Sequence, residues 1–141
     1  MDEPTASGLT RRQALAAAAA LCGFGAAAAA ASGTAHAAGT LRVKLSRFPA
    51  LARVGGAANV GTLDGAPVAV VRTGASAFVA VDRRCPHMGV PVVHRGAGFV
   101  CQPPGHGSTF ANTGALTGGP ASTGLRRLTV RSRNGVLTIS A

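Results

Sequence analysis

From residue 39 onward, apolar positions recur at every second place or in short unbroken runs, and turn residues separate them. In "TLRVKLSRF", Leu41, Val43 and Leu45 alternate with Arg42, Lys44 and Ser46, the pattern of a half-buried strand. The glycines of "LARVGGAANVGTL" interrupt any regular pattern there. "LDGAPVAVVRTG" then predicts a turn followed by a strand carrying Val68, Val70 and Val71, and "SAFVAVD" reads as a strand buried on both faces. At the C-terminus, Leu128 and Val130 fall on one face and Arg127, Thr129 and Arg131 on the other. Asn134-Gly135 predicts a two-residue hairpin turn into "VLTIS". No window of this region has helical period. The expectation is an all-β domain of short antiparallel strands.

The first 37 residues do not share this pattern. Arg11 and Arg12 form a twin-arginine pair, Ala14 to Ala31 is an uncharged and weakly apolar stretch of 18 residues, and Ala35-His36-Ala37 supplies small residues where a signal peptidase cuts. Residues 1–37 therefore read as a twin-arginine leader that exports an already folded protein to the periplasm or another extracytoplasmic space. A leader left uncut would act as a membrane anchor. Cys22 leaves with a cleaved leader. The remaining domain is residues 38–141.

Composition sharpens this picture. With 5 Phe and no Trp or Tyr, the core must be built mainly from Val, Leu, Ile and Ala. Net charge is +10, and residues 38–141 hold 12 cations against only Asp64 and Asp82. The arginines are scattered along strands, with no dense basic run and no aromatic stacking platform, so no nucleic-acid partner is expected. An acidic protein partner or an anionic membrane surface suits the charge better.

The chemistry lies in two loops. "RRCPHMGV" holds Cys85 and His87, and "VCQPPGHGSTF" holds Cys101 and His106. Thiolate and imidazole donors suit iron–sulfur, zinc or copper centres rather than calcium or magnesium. Pro86, Gly89, Pro103, Pro104, Gly105 and Gly107 mark both loops as tight turns that can direct two ligands each toward one centre. A Cys85–Cys101 disulfide is the competing reading for an exported protein. His94 reads as an exposed strand-end or turn residue, Met88 as loop packing, and neither Asp64 nor Asp82 completes a Ser-His-Asp arrangement.

"CPHMGVPV", followed by "GHGSTFANTGALTGGPASTGLRRLTV", resembles the Rieske [2Fe–2S] domain over roughly residues 39 to 141. The resemblance implies a Rieske-like fold with two metal-binding loops. Cys85 and Cys101 would hold one iron of a [2Fe–2S] cluster, and His87 and His106 the other. It further implies that Ser108 donates a hydrogen bond to a cluster sulfur and that Gly118-Gly119-Pro120 covers the cluster from a third side, which places Pro120 in the cofactor site. Surface imidazoles would offer electrons a short path, and their free nitrogens a proton.

The chain departs from the family pattern in three places. Cys101 and His106 have four residues between them where the family has two. The positions of the loop-to-loop disulfide of high-potential members hold Val90 and Gly105, and the family tyrosine two residues after Ser108 is Phe110. A shuttle or subunit of a larger oxidoreductase is implied, its partner an acidic cytochrome or another oxidoreductase subunit. Membrane contact would come through an uncleaved leader. Two alternatives stay open: a structural Cys₂His₂ zinc module and a cluster-free domain that keeps the fold for binding.

Overall fold

The computed structural model describes residues 39–102 and 106–141. The leader reading, Cys22, and the loop residues Pro103, Pro104 and Gly105 lie outside them. Ten strands follow in order: β1 (Thr40–Lys44), β2 (Ala57–Leu63), β3 (Ala66–Arg72), β4 (Phe78–Asp82), β5 (Val93–Arg95), β6 (Gly98–Val100), β7 (Thr109–Ala111), β8 (Leu116–Gly118), β9 (Arg127–Arg133) and β10 (Val136–Ser140). Two 3-10 turns, Leu45–Arg47 and Pro49–Ala52, connect β1 to β2. Among the described residues no helix is long and apolar enough to cross a membrane.

The strands form two antiparallel sheets. One has six strands in the order β1-β10-β9-β4-β3-β2, and the other has four in the order β5-β6-β7-β8. Its two edge strands, β1 and β2, come against each other, so the six-stranded sheet curls into a nearly closed barrel. The barrel interior holds Val43, Leu63, Val68, Val70, Ala80, Leu128, Leu137 and Ile139. Alternate residues of β3 and β4 (Ala69, Val71, Val79 and Val81) point outward instead. There they meet Val92, Phe99, Phe110, Ala121, Leu125 and both loop cysteines in a second core. β3 and β4 are therefore buried on both faces, as the apolar run of "SAFVAVD" predicts for β4.

Both predicted turns form. Asp64 (φ 49°) and Gly65 (φ 75°) join β2 to β3, and Asn134 (φ 50°) and Gly135 (φ 73°) join β9 to β10. Positive φ at both central residues is what a twisted two-residue hairpin needs.

Two expectations change. Leu45 leaves β1 for a 3-10 turn. The glycine-broken segment contains a seven-residue strand, β2, because the chain takes up Gly61 (φ 135°) as a bulge in the pairing with β3 rather than ending there.

Arg72, at the end of β3, fastens the second 3-10 turn to the sheet. Its guanidinium donates to the carbonyls of Leu51 (3.2 Å), Ala52 (2.9 Å), Gly74 (3.1 Å) and Ala75, and lies over the Phe78 ring. One side chain thus satisfies carbonyls that neither turn can pair internally.

Candidate metal centre

The first loop leaves β4 at Asp82 and returns at Val92. Its base is closed by backbone pairing of Arg84 with Pro91 and by Val92 N–H donating to the Arg83 carbonyl at 2.7 Å. The Arg83 guanidinium adds two bonds to the Val92 carbonyl, at 2.9 and 2.8 Å. Inside this frame, Cys85 N–H donates to Val90 (2.9 Å) and Gly89 N–H to Cys85 (2.7 Å), with Gly89 at φ 72°. This tight turn holds Cys85 in the core at 2% exposure and pushes Pro86, His87 and Met88 outward. Met88 is 62% exposed, which corrects the expectation that it packs in the loop: the turn carries its side chain into solvent.

Asp82 anchors the start of this loop. It is buried at the end of β4 and accepts from the Arg84 backbone N–H (2.9 Å) and from the Arg84 guanidinium, whose shortest contact is 2.6 Å. Burial alone would raise the Asp82 carboxyl, but the hydrogen bonds and charge of Arg84, with the charge of Arg126, outweigh it and hold the group below its usual range. A lowered native value contributes stability above the unfolded-chain value near ~3.9, and that stability is lost as pH falls through the native one. Asp82→Asn is expected to cost about 1–2 kcal/mol at pH 7. The gap between wild type and variant should close as pH drops below about 4, measured by urea unfolding at both ends.

The second loop joins β6 to β7. Cys101 N–H donates to the Ser108 carbonyl (2.8 Å) and Gly107 N–H to the Cys101 carbonyl (3.0 Å), which ties together the two described ends of the loop. Cys101 is 1% exposed. Burial pushes its thiol above the usual range and the adjoining Cys85 thiol adds to the rise, while the backbone N–H of His106 offsets part of it. Both cysteines are free thiols, so the structure does not form the competing disulfide.

The two loops meet as two pairs. Cys85 and Cys101 lie side by side in the core, within hydrogen-bonding reach of one another. His87 and His106 lie side by side at the surface, ring centroids 4.4 Å apart and planes at 82°. Two thiols inside and two imidazoles outside suit two metal ions with two protein donors each. A single tetrahedral ion needs its donors around one point, and among the described residues no point gathers three His, Cys, Asp or Glu groups. Two thiols and two imidazoles in separate pairs are a donor set that fits a two-iron cluster.

A third loop, after β8, seats on the second. Ser108 is fully buried, and its Oγ accepts the Ala121 N–H at 3.1 Å, leaving the hydroxyl proton free to donate elsewhere. Pro120, just before Ala121, is exposed. Gly119 (φ 91°) presses against the Ser108 backbone. Phe110 is buried in the core that contains both cysteines. Position 90 holds a half-buried valine, and position 105 is outside the described residues.

His94 lies apart from these four groups. It is half-buried on β5, its Nε2–H donating to Asn112 Oδ1 (2.8 Å) and its ring edge-on to Phe99 at 5.1 Å. The expectation of an exposed histidine fails because β5 pairs with β6 and brings His94 opposite Phe99. Sequence reasoning also missed the Asp82–Arg84 and Arg83–Val92 fastenings, whose only trace was the run "DRRC" ahead of the loop.

Comparison with known proteins agrees with this geometry. The family described as Rieske [2Fe-2S] domain matches residues 50–129. The crystal structure of a cyanobacterial plasma membrane Rieske protein from Synechocystis PCC 6803 is 31% identical, with a TM-score of 0.53, over 57% of this chain and 83% of that one. The ferredoxin of carbazole 1,9a-dioxygenase from Nocardioides aromaticivorans IC177 is 24% identical with a TM-score of 0.53 over 72% and 96% of the two chains, a likeness of fold. Carotenoid phi-ring synthase from Chlorobaculum tepidum is 44% identical over 77 residues, 53% of this chain; the chain spans only 11% of that relative's length.

Proposed function

Because the chain belongs to the Rieske [2Fe-2S] domain family, we propose that Cys85 and Cys101 hold one iron of its cluster, that His87 and His106 hold the other, and that the protein is an exported electron carrier. The cluster, when bound, supplies one-electron transfer at a potential above that of all-cysteine ferredoxins. The single observation that supports this ligand set is the pairing of buried thiols beneath exposed imidazoles. Every other task falls to the chain. The buried cysteines keep water from the inner side of the site, and the two imidazole edges present the shortest route to a docked partner. Ser108 has a hydroxyl proton to offer a sulfur, and the Gly118-Gly119-Pro120 loop shields the third side.

The twin-arginine leader in residues 1–37 supports export after folding, which lets a cofactor inserted in the cytoplasm travel with its protein. Residues 38–141 form the redox domain, in a periplasmic or other extracytoplasmic space. Its partner is a larger oxidoreductase or an acidic cytochrome, whose charge complements the +10 of this chain. An uncut leader would hold it at a membrane.

The test is the visible and EPR spectrum of protein exported by a twin-arginine-competent cell, before and after dithionite, with iron, sulfide and zinc counted. Equal iron and sulfide, with the low average g of a two-histidine cluster, is the expected result. A colourless or zinc-bearing protein overturns the reading.

Phe110 sets a further expectation. A hydrogen bond to sulfur favours the more negative, reduced state. With phenylalanine where the family has tyrosine, one such donor is absent. Phe110→Tyr should raise the reduction potential by about 60 mV, the one-electron equivalent of about 1.4 kcal/mol. Protein-film voltammetry measures it; an unchanged or lowered potential contradicts the argument.

A further inference from the structure

The outer surface of β1, β10 and β9 carries a row of cations that the redox site does not use. In the register of these strands, Arg42 lies opposite Thr138 and Thr138 opposite Arg131. One step along, Lys44 lies opposite Val136 and Val136 opposite Arg133. Residues directly opposite share a face, and here it is the outer one, because Val43, Leu137 and Ile139 point into the barrel. Arg42, Lys44, Arg131 and Arg133 are exposed, and Arg47 follows in the adjoining 3-10 turn.

No acid sits on these strands. Asp64 lies in the β2–β3 turn, Asp82 is held by Arg84, and that pair is the sole salt bridge among the described residues. At the edge of the face, Arg42, Lys44 and Arg47 surround a cavity of about 250 Å³ with Val43, Phe48 and Val60 in its lining. It offers cationic walls and an apolar lining to one small anionic group.

The place of this face in the fold matters most. The cysteine and histidine loops pack against the outward side of β3 and β4. In the strand order, β1 and β10 are on the far side of the barrel from them. A redox partner docked on the cationic face would sit across the whole barrel from His87 and His106.

We propose that the β1–β10–β9 face seats the domain on the anionic phospholipid surface of a membrane, with Arg42, Lys44, Arg47, Arg131 and Arg133 against the headgroups and the histidine edge turned away toward aqueous partners. Two observations choose lipid as the occupant. The strands of this face present cations and hydroxyls and no aromatic ring for bases to stack on, and Phe48, in the cavity lining at its edge, is half-buried. In the sequence, the weakly apolar stretch Ala14 to Ala31 ends nine residues before β1 begins at Thr40, so an uncut leader would join the domain at a strand of this face. The proposal does not depend on which residues ligate iron.

The full-length protein is centrifuged with phosphatidylcholine vesicles, with and without about a third phosphatidylglycerol. Each cation near an anionic surface is worth about fivefold in binding. The double variant Arg131→Gln, Arg133→Gln should thus lose about 30-fold on the anionic vesicles. Arg131→Lys, Arg133→Lys should retain wild-type binding, as should Arg53→Gln, Arg95→Gln, which removes the same charge elsewhere.

Wild-type binding should fall steeply between about 0.1 M and 1 M salt as the Debye length shrinks from about 10 to 3 Å. Residues 1–37 carry two acids and two basic residues, so the leader supplies little of this lipid-charge dependence. The proposal fails if wild type binds both vesicle types equally, if the Gln pair at 131 and 133 binds like wild type, or if the control pair loses as much. It fails also if an equal concentration of nucleic-acid phosphate displaces the protein from the vesicles, which would make the face a nucleic-acid surface.

Discussion

A chain carrying Cys101→Ser is expected to emerge colourless, with more than about 100-fold weaker retention of iron. Outer-shell substitutions alone cost about 10–100-fold in metal affinity, and this one would remove a proposed donor. Cys101 is buried beside Cys85 and is held there by backbone bonds to Ser108 and Gly107. A serine would fit the space, so the fold should persist while the soft thiolate is lost. The far-UV spectrum should match wild type while iron and sulfide vanish together. His94→Ala is the control: His94 touches Asn112 and Phe99, not the four-residue constellation, and its loss should leave the iron count intact. Full iron in the Cys101 variant, counted by mass spectrometry, would remove that residue from the ligand set.

The second large effect is expected at Gly119. A Cβ there would stand 2.5 Å from Ser108 Cα and 2.9 Å from Ser108 N, and the backbone φ of 91° is one that side chains rarely adopt. Neither atom can yield, since both belong to the main chain of the second loop. Gly119→Ala should cost about 2–3 kcal/mol and lift the third loop off Ser108, breaking the bond from Ala121 N–H. Its neighbour is the internal control. A Cβ at Gly118 meets only Thr109 Oγ1 at 3.2 Å, so Gly118→Ala should cost under about 1 kcal/mol. Urea unfolding of both, with the loss of cluster colour followed in parallel, distinguishes them; equal midpoints would show that the close approach does not restrain the loop.

How much of this was legible beforehand varied with the kind of signal. Asp64-Gly65 and Asn134-Gly135 announced their hairpins because the backbone conformation they need is nearly exclusive to such pairs. β3 and β4 were legible as strands from their apolar runs, and burial on both faces was legible in β4, where no polar position interrupts Phe78 to Val81. β5, β6, β7 and β8 were not. At three residues each they are too short for alternation to register, and they exist because each pairs with the next and covers the cysteine loops. β2 was hidden by Gly61, since a glycine in a bulge and a glycine that ends a strand look alike until the partner strand is known.

For the site, the residue types and their grouping were visible in the chain. A Cys and a His in each of two turn-rich loops are a local pattern, set by covalent neighbours, and so is the turn chemistry that shapes each loop. The sequence by itself therefore determined the candidate donors, the all-β class and the family. Only tertiary structure decided that the cysteines pair inward and the histidines outward, that Cys101 comes beside Cys85 and His106 beside His87, and that Met88 points to solvent while His94 does not. It likewise decided that cations spaced along three separate strands fall into rows on one face. The physical reason is the same throughout. Which side of a sheet a residue occupies, and what stands opposite it, depends on register between strands far apart in the chain, and no local pattern encodes that register.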